Sequence, residues 1–228
     1  RANAEGVGSV ATYPFGRGGF EVSKLEEATA KRYLPAAELS KLKSATANNP
    51  QCEYARKLFL FSYYCYGISF IDMAMLTAAH IKQMEDGDYI VYKRQKLKRQ
   101  KGVKPISNKI TPAIRQLIES LQAASPTVDD FLLPVVTRSG YTGERLYMHI
   151  RTRYSKYQKY LRLLAEELGI DFHLTSYVSR HTAAMTLQRN HIPREVISQM
   201  LGHADLETTN VYLDSFDNGV INEAAKVL

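Results

Sequence analysis

The sequence contains no tryptophan and only two cysteines, Cys52 and Cys65, among its 228 residues. The two cysteines show no metal-ligand spacing, and a chain of this length is not a disulfide-stapled miniature, so we interpret both as reduced core thiols. No apolar run reaches the roughly 18 residues of a membrane-spanning helix, and no signal peptide leads the sequence. We therefore expect a cytoplasmic protein.

Acidic residues are also in the minority. Lys and Arg total 30 against 23 Asp and Glu, which gives a formal net charge of +7. A surplus of positive charge favours a polyanionic partner such as nucleic acid, although it does not by itself identify one. The length allows one large domain, or one domain with a short appendage, with a real core.

The pattern along the chain predicts a mainly α-helical fold with a small antiparallel β-sheet, an α+β arrangement. Residues 1–30 are rich in glycine and are interpreted as a linker or the remnant of a preceding domain, and residues 31–215 as one domain. The letters YIVY at 89–92 predict a strand after the turn at Asp86-Gly87. Pro35 and Pro193 suit first helical turns, while Gly169 and Gly202 suit helix C-caps. Helical patterns cover about 51–66, 69–76, 111–123, 145–168, 176–190, 193–201 and 205–213.

A basic run, KRQKLKRQKGVK, occupies residues 93–104 and contains no acid. On a strand, alternate side chains share a face, so Arg94, Lys96 and Lys98 would project together from a hairpin. A solvated hairpin tip is the alternative reading of such a run. The candidate DNA-binding residues of this run are Lys93, Lys98, Arg99 and Lys101.

A second basic region, residues 145–164, interleaves arginines and lysines with tyrosines. Arginine forks and tyrosine hydroxyls both bind phosphate oxygens, and a helix with such a face can lie against a duplex, although some of these tyrosines will be core. Two basic regions favour double-stranded DNA as the partner, and hence a nucleoid-associated protein. The candidate DNA-binding residues here are Arg151, Arg153, Lys156 and Lys159.

The C-terminal quarter contains three short motifs in order: YVSRHT at 177–182, LGH at 201–203 and TTNVY at 208–212. This combination resembles the catalytic domain of the tyrosine recombinases, the phage integrase family. The resemblance covers about residues 31–217 and is most specific over 174–213. It implies the family's fold and site-specific DNA strand exchange.

The resemblance also implies residue roles. Tyr212 corresponds to the family's nucleophile, Arg180 to the arginine of its H-x-x-R-H-T helix, and His203 to the histidine of its L-G-H motif. The family's hairpin lysine corresponds to Lys96, although Leu97 stands where threonine is usual.

Two departures from the family pattern matter for the chemistry. Tyr177 replaces the first histidine of H-x-x-R, and a phenol donates a hydrogen bond rather than acting as a base at pH 7. The stretch GISFIDMAML at 67–76 places Ser69 where the family has its first arginine, and a neutral hydroxyl cannot supply that charge. Arg94 is our candidate for the substitute, and Asp72 is interpreted as fixing a local contact. A branch of mobile-element integrases lacking the first arginine has the same G-[MI]-S-F-x-D and Y-x-x-R patterns.

The implied mechanism is attack by Tyr212 on a DNA phosphodiester to give a 3′-phosphotyrosyl intermediate, with no cofactor and no metal. Lys96 would be the general acid, and Arg180, Arg94 and His203 would bind the non-bridging oxygens with help from Tyr177. Integration, excision and inversion stay open, as do a non-catalytic DNA-binding relative and a topoisomerase-like relaxing enzyme. We expect a monomer in solution and a homotetramer on DNA, in which a tail helix at 216–228 is exchanged between protomers or packs on its own domain.

Overall fold

The computed structural model describes residues 33–203, 206–210 and 213. The linker expected at 1–30, the tail helix expected at 216–228 and the nucleophile expected at Tyr212 all lie outside the described residues.

The described part is mainly helical with one three-stranded antiparallel sheet, which confirms the predicted fold class. Two single-turn 3-10 helices accompany these elements, at Ala78–His80 and Gln95–Leu97. The elements are α1 (Ala36–Ser44), α2 (Pro50–Tyr64), α3 (Phe70–Ala74), β1 (Ile81–Met84), β2 (Gly87–Tyr92), β3 (Ile106–Lys109), α4 (Pro112–Ala124), α5 (Gly143–Glu167), α6 (Ser176–Arg189), α7 (Arg194–Leu201) and α8 (Leu206–Asn210).

Helix α2 is the centre of the core. It begins where the Asn49 side chain accepts a hydrogen bond from the Gln51 amide and Pro50 occupies the first helical turn. Its residues are largely buried, and it contacts α4, α5 and α6. Because these contacts surround α2, the turn that follows it, at Tyr66 and Gly67, is brought next to α6.

A smaller apolar cluster joins α6 to α7. Ala184, Met185, Ile197, Leu201 and Leu213 are all buried in it. This cluster fixes the C-terminal end of α7, and therefore the residues just after it, against α6.

The sheet has β2 in the middle, with both neighbours antiparallel to it. Tyr89 of β2 is opposite Lys82 of β1 and Lys109 of β3. β2 coincides with the predicted strand, whereas β1 was not predicted. Among the described helices, none has both the length and the apolar character to cross a membrane.

The basic run does not form the predicted strand. After β2 ends at Tyr92, residues 95–97 form a 3-10 turn and residues 98–102 continue as turns before β3 begins at Ile106. The prediction that Arg94, Lys96 and Lys98 alternate along a strand was therefore wrong. Pro35 and Pro193 are N-cap residues rather than first-turn residues, and Leu168 is the C-cap of α5, one residue before Gly169.

Candidate active site

Arg180 lies on α6 and is only 4% exposed. Its Nη1 donates to the Gly67 carbonyl oxygen at 3.1 Å, and its Nη2 donates to the Leu201 carbonyl oxygen and to His203 Nε2, the latter at 2.9 Å. A buried guanidinium is tolerated because such donors are satisfied by oriented acceptors. Arg180 thereby links the turn after α2 to the end of α7.

His203 follows α7 and contacts Arg180 through one ring nitrogen. A guanidinium can only donate, so His203 Nε2 must accept and the ring proton resides on Nδ1. His203 Nδ1 is 2.8 Å from the hydroxyl of Thr209, a fully buried residue of α8. His203 is thus held between α6 and α8.

Gly202 sets the position of His203 relative to the end of α7. Its φ of +64° is the left-handed conformation that glycine adopts without cost, and it ends α7 as the sequence predicted. The His203 amide then donates back to the Ser198 carbonyl oxygen at 3.0 Å. This turn directs the imidazole towards Arg180.

Gly67 permits the close approach of its turn to α6. Its φ is +74°, and a Cβ at this position would lie 2.4 Å from the Arg180 Cα. Real carbon atoms do not come so close without a shift of the backbone, so only glycine fits between the turn and α6.

Ser69 caps α3 and does not point its proton into the site. Its Oγ accepts from the Asp72 amide at 3.2 Å and donates to Asp72 Oδ2 at 2.6 Å. Asp72 is 4% exposed, and its Oδ1 accepts from the Gln95 amide at 2.7 Å. Asp72 therefore fixes the loop after β2 to α3, in agreement with its interpretation as a residue that makes local contacts.

A cleft of about 440 Å³ lies beside these residues. Its lining includes Ser69, Arg94, Tyr177 and Arg180, so the structure brings these four predicted residues together. Arg94 is half-buried, and its Cδ is 3.5 Å from where a Cβ on Gly202 would be. The loop held by Asp72 thus places Arg94 near Arg180 at the cleft. This loop is a turn and not the strand that the sequence predicted.

Tyr92 lies among the same charges. Burial raises the pKa of its hydroxyl and nearby Asp72 adds to the rise, while Arg180 and Arg94 act in the opposite direction. The influence of both arginines on a single hydroxyl is consistent with their common location at the cleft.

Tyr177 is 54% exposed at the rim of the cleft, and its ring meets His181 edge-on at 5.0 Å between centroids. Burial, with a smaller effect of neighbouring Arg180, lowers the pKa of His181 to about 4. His181 is therefore neutral near pH 7 and adds no charge beside Arg180.

Lys96 is less closely associated with the other candidates. It is exposed on the 3-10 turn and is absent from the described residues that line the cleft. The remaining predicted DNA-binding residues of the loop are also exposed, namely Lys93, Lys98, Arg99 and Lys101.

The predicted DNA-binding residues of α5 occupy two faces. Arg151, Lys156 and Lys159 are exposed, and Arg151 lines the cleft. Arg153 is half-buried, its Nε donates to the Val135 carbonyl oxygen at 3.2 Å, and its guanidinium lies over the Tyr54 ring. These contacts favour a structural role for Arg153.

The aromatic side of the cleft was recognised from the sequence only in part, as tyrosines of the second basic region. Phe70, Tyr147 and Tyr154 line it together with Arg151. Residues 147, 151 and 154 are spaced three and four apart on α5, so helical periodicity could have placed them on one face. The connection from Asp72 to Gln95 has no comparable local signal.

The pair formed by Arg180 and His203 lies beside a cleft that Arg94 also lines. Arginine side chains are common ligands of phosphate oxygens, so this site has the chemistry to bind a phosphate group. The family model described as the phage integrase family matches residues 32–218, and the chain belongs to that family.

Two curated relatives are both described as tyrosine recombinase XerD. The one from Halalkalibacterium halodurans is 41% identical over 54 residues, which are 24% of this chain and 18% of the relative. The one from Brucella abortus biovar 1 is 30% identical over 111 residues, which are 47% of this chain and 32% of the relative. The matched stretches thus span no more than about a third of these relatives.

Solved structures share the fold. XerH site-specific recombinase bound to difH substrate matches with a TM-score of 0.60 and 19% identity, over 85% of this chain and 53% of that chain. The Tn1549 transposon integrase in complex with transposon right end DNA matches with a TM-score of 0.57 and 14% identity, over 91% and 70%.

Proposed function

We propose that this chain carries the catalytic site of a site-specific DNA recombinase that integrates, excises or inverts the DNA of a mobile element. The observation that carries the proposal is the hydrogen bond between buried Arg180 and half-buried His203, beside a cleft that Arg94 also lines. In a family of recombinases, this is the arrangement expected for binding the oxygens of a scissile phosphate.

The reaction begins with attack by the Tyr212 phenol oxygen on phosphorus. The bond from phosphorus to the 5′ oxygen breaks, and Lys96 protonates the departing oxygen to give a free 5′ hydroxyl. The 3′ end stays joined to Tyr212, so a 5′ hydroxyl from a partner strand can reverse the step without an external energy source. Lys96 on an exposed turn can reach the substrate because its side chain is long.

The transition state concentrates negative charge on the phosphoryl oxygens, and fixed cationic donors stabilise it. Arg180 supplies one guanidinium, held in place by carbonyl oxygens. Arg94 supplies the second, in place of the arginine that the family has at Ser69. The Ser69 hydroxyl does not contribute, because it donates to Asp72.

Tyr177 supplies a neutral hydrogen-bond donor to the same phosphate. His203 acts on that phosphate through Arg180, because both of its ring nitrogens already have partners. The exposed Tyr177 hydroxyl donates to an oxygen where the family has histidine, and His203 keeps Arg180 oriented.

The DNA partner and the mobile-element setting draw support from similar proteins. The XerH structure contains its difH substrate, and the Tn1549 integrase structure contains transposon end DNA. By analogy, this chain acts on double-stranded DNA. The nucleoid location, the monomer in solution and the homotetramer on DNA are parts of the proposal that rest on the family resemblance alone.

A catalytically impaired DNA-binding relative is the second candidate. It is favoured by Ser69 and Tyr177, since both replace charged or basic groups of the family pattern.

The role of Lys96 as general acid separates the two candidates. Lys96→Ala should slow cleavage of a nicked duplex carrying the element's ends by about 100- to 10,000-fold. Replacing the scissile 5′ oxygen by sulfur should restore the rate, because a thiolate departs without protonation. The measurement is the amount of covalent adduct on a denaturing gel over time.

Arg180→Ala serves as the matched control, since sulfur does not replace a lost guanidinium and its adduct should stay low on both substrates. Equal slowing of Lys96→Ala on both substrates would reject the general-acid role. No adduct from the unmodified protein on either substrate would favour the impaired relative.

A further inference from the structure

Tyr154 of α5 has a ring that is held in place but only partly covered. Its ring centroid is 5.3 Å from that of Phe70, and its hydroxyl lies 3.1 Å from Ser176 Oγ and accepts from Gln158 Nε2 at 3.2 Å. The residue is nevertheless 38% exposed. Tyr154 therefore offers an aromatic surface that requires no ordering when a ligand binds.

The support behind Tyr154 extends into the core. Phe70 stacks on Tyr157 at 5.1 Å with an angle of 21° between the rings, and Tyr157 is buried. Tyr147, which is 60% exposed, continues the aromatic lining about two helical turns earlier on α5. The Tyr154 ring is thus supported by the packed rings of Phe70 and Tyr157.

The rest of the cleft has a different chemistry. Arg94, Arg151 and Arg180 line it, and no carboxylate occurs among the described residues of its lining. A nucleotide combines an anionic phosphate with an apolar, flat base, which matches a cleft lined by both arginines and aromatic rings. The volume of about 440 Å³ leaves room for a base beside its phosphate.

A base inside a duplex has both faces covered by its neighbours, so the Tyr154 ring can stack only on a base that has left the helix. We propose that the cleft holds one unpaired DNA base against Tyr154, next to the phosphate bound by Arg94 and Arg180. The proposal rests on the proposed function, in which bases beside the break must leave one partner strand to pair with another. A stacking surface lowers the free energy of that unpaired intermediate.

The test compares the affinity of the chain for three end-labelled duplexes by fluorescence anisotropy. One is fully paired, one has a single unpaired thymine at its centre, and one has an abasic nucleotide at the same position. The thymine duplex should bind about 5- to 100-fold more tightly than the abasic duplex, because base–aromatic stacking has that magnitude. The abasic duplex controls for bending at the unpaired site.

Variants then test whether the preference for the thymine duplex depends on Tyr154. Tyr154→Leu should abolish it and Tyr154→Phe should keep it, since phenylalanine retains the ring. Tyr89→Leu, in a sheet tyrosine outside the cleft lining, should have no effect. Equal affinity for the thymine and abasic duplexes, or a preference that survives in Tyr154→Leu, would overturn the proposal.

The two proposals can fail separately. Covalent adduct formation without a preference for the thymine duplex would overturn base stacking alone. A Tyr154-dependent preference in a chain that forms no adduct would overturn the recombinase reaction alone.

Discussion

Arg94→Ala is expected to slow formation of the covalent DNA adduct by about 100- to 1,000-fold, the usual effect of removing one transition-state donor. The physical reason is that Ser69 supplies no charge, and Arg94, which lines the cleft with Arg180 and Arg151, is our candidate for the missing guanidinium. The measurement is the single-turnover rate at saturating protein, which separates chemistry from DNA affinity. Arg94→Lys should recover part of the rate, because lysine keeps the charge but loses the planar fork.

Arg99→Ala is the matched control for this prediction. Arg99 is an exposed arginine of the same loop. Its loss should lower the affinity for DNA and reduce the salt dependence of binding, while the rate of adduct formation at saturating protein changes little. An Arg94→Ala rate within a few-fold of the unmodified protein would show that another group replaces the missing arginine.

Gly67→Ala is expected to destabilise the domain by about 2–5 kcal/mol. The left-handed φ costs an L-residue about 1–2 kcal/mol, and the added Cβ collides with the Arg180 backbone, which adds the usual cost of overpacking. Thermal unfolding should show a midpoint lower by several degrees. Because the collision displaces Arg180, cleavage should also be lost at temperatures where the variant is folded.

Gly140→Ala is the control that separates the cost of a left-handed φ from the cost of the steric collision with Arg180. Gly140 has a φ of +71°, close to that of Gly67, but nothing lies within 4 Å of an added Cβ. Gly140→Ala should therefore show only the conformational cost. Similar destabilisation by the two variants would mean that the contact between the Gly67 turn and α6 contributes little.

Much of the fold follows from local sequence signals. The long helices α2 and α5 have clear periodicity, β2 has β-branched and aromatic residues, and Gly202 ends α7 as its position suggested. β1 escaped prediction because its sequence, IKQM, lies at the edge of the sheet with mostly exposed residues, so it has no apolar alternation.

The basic loop shows why part of the site could not be predicted. Its local composition was compatible with a strand, but the Gln95 amide donates to Asp72, which is 23 residues away in sequence. That contact turns the chain and brings Arg94 to the cleft. The Arg180–His203 pair was accessible from sequence because its motifs are short and ordered, whereas the aromatic support of Tyr154 depends on packing between α3 and α5.

The most direct test of the central claim is whether Tyr212 becomes covalently joined to DNA. The chain is incubated with a nicked suicide duplex carrying the element's ends, and the products are separated on a denaturing gel. A slowly migrating adduct that is absent in Tyr212→Phe and present in Tyr89→Phe is the result that we expect. An adduct that persists in Tyr212→Phe, or no adduct despite tight and salt-sensitive DNA binding, would contradict the proposed reaction.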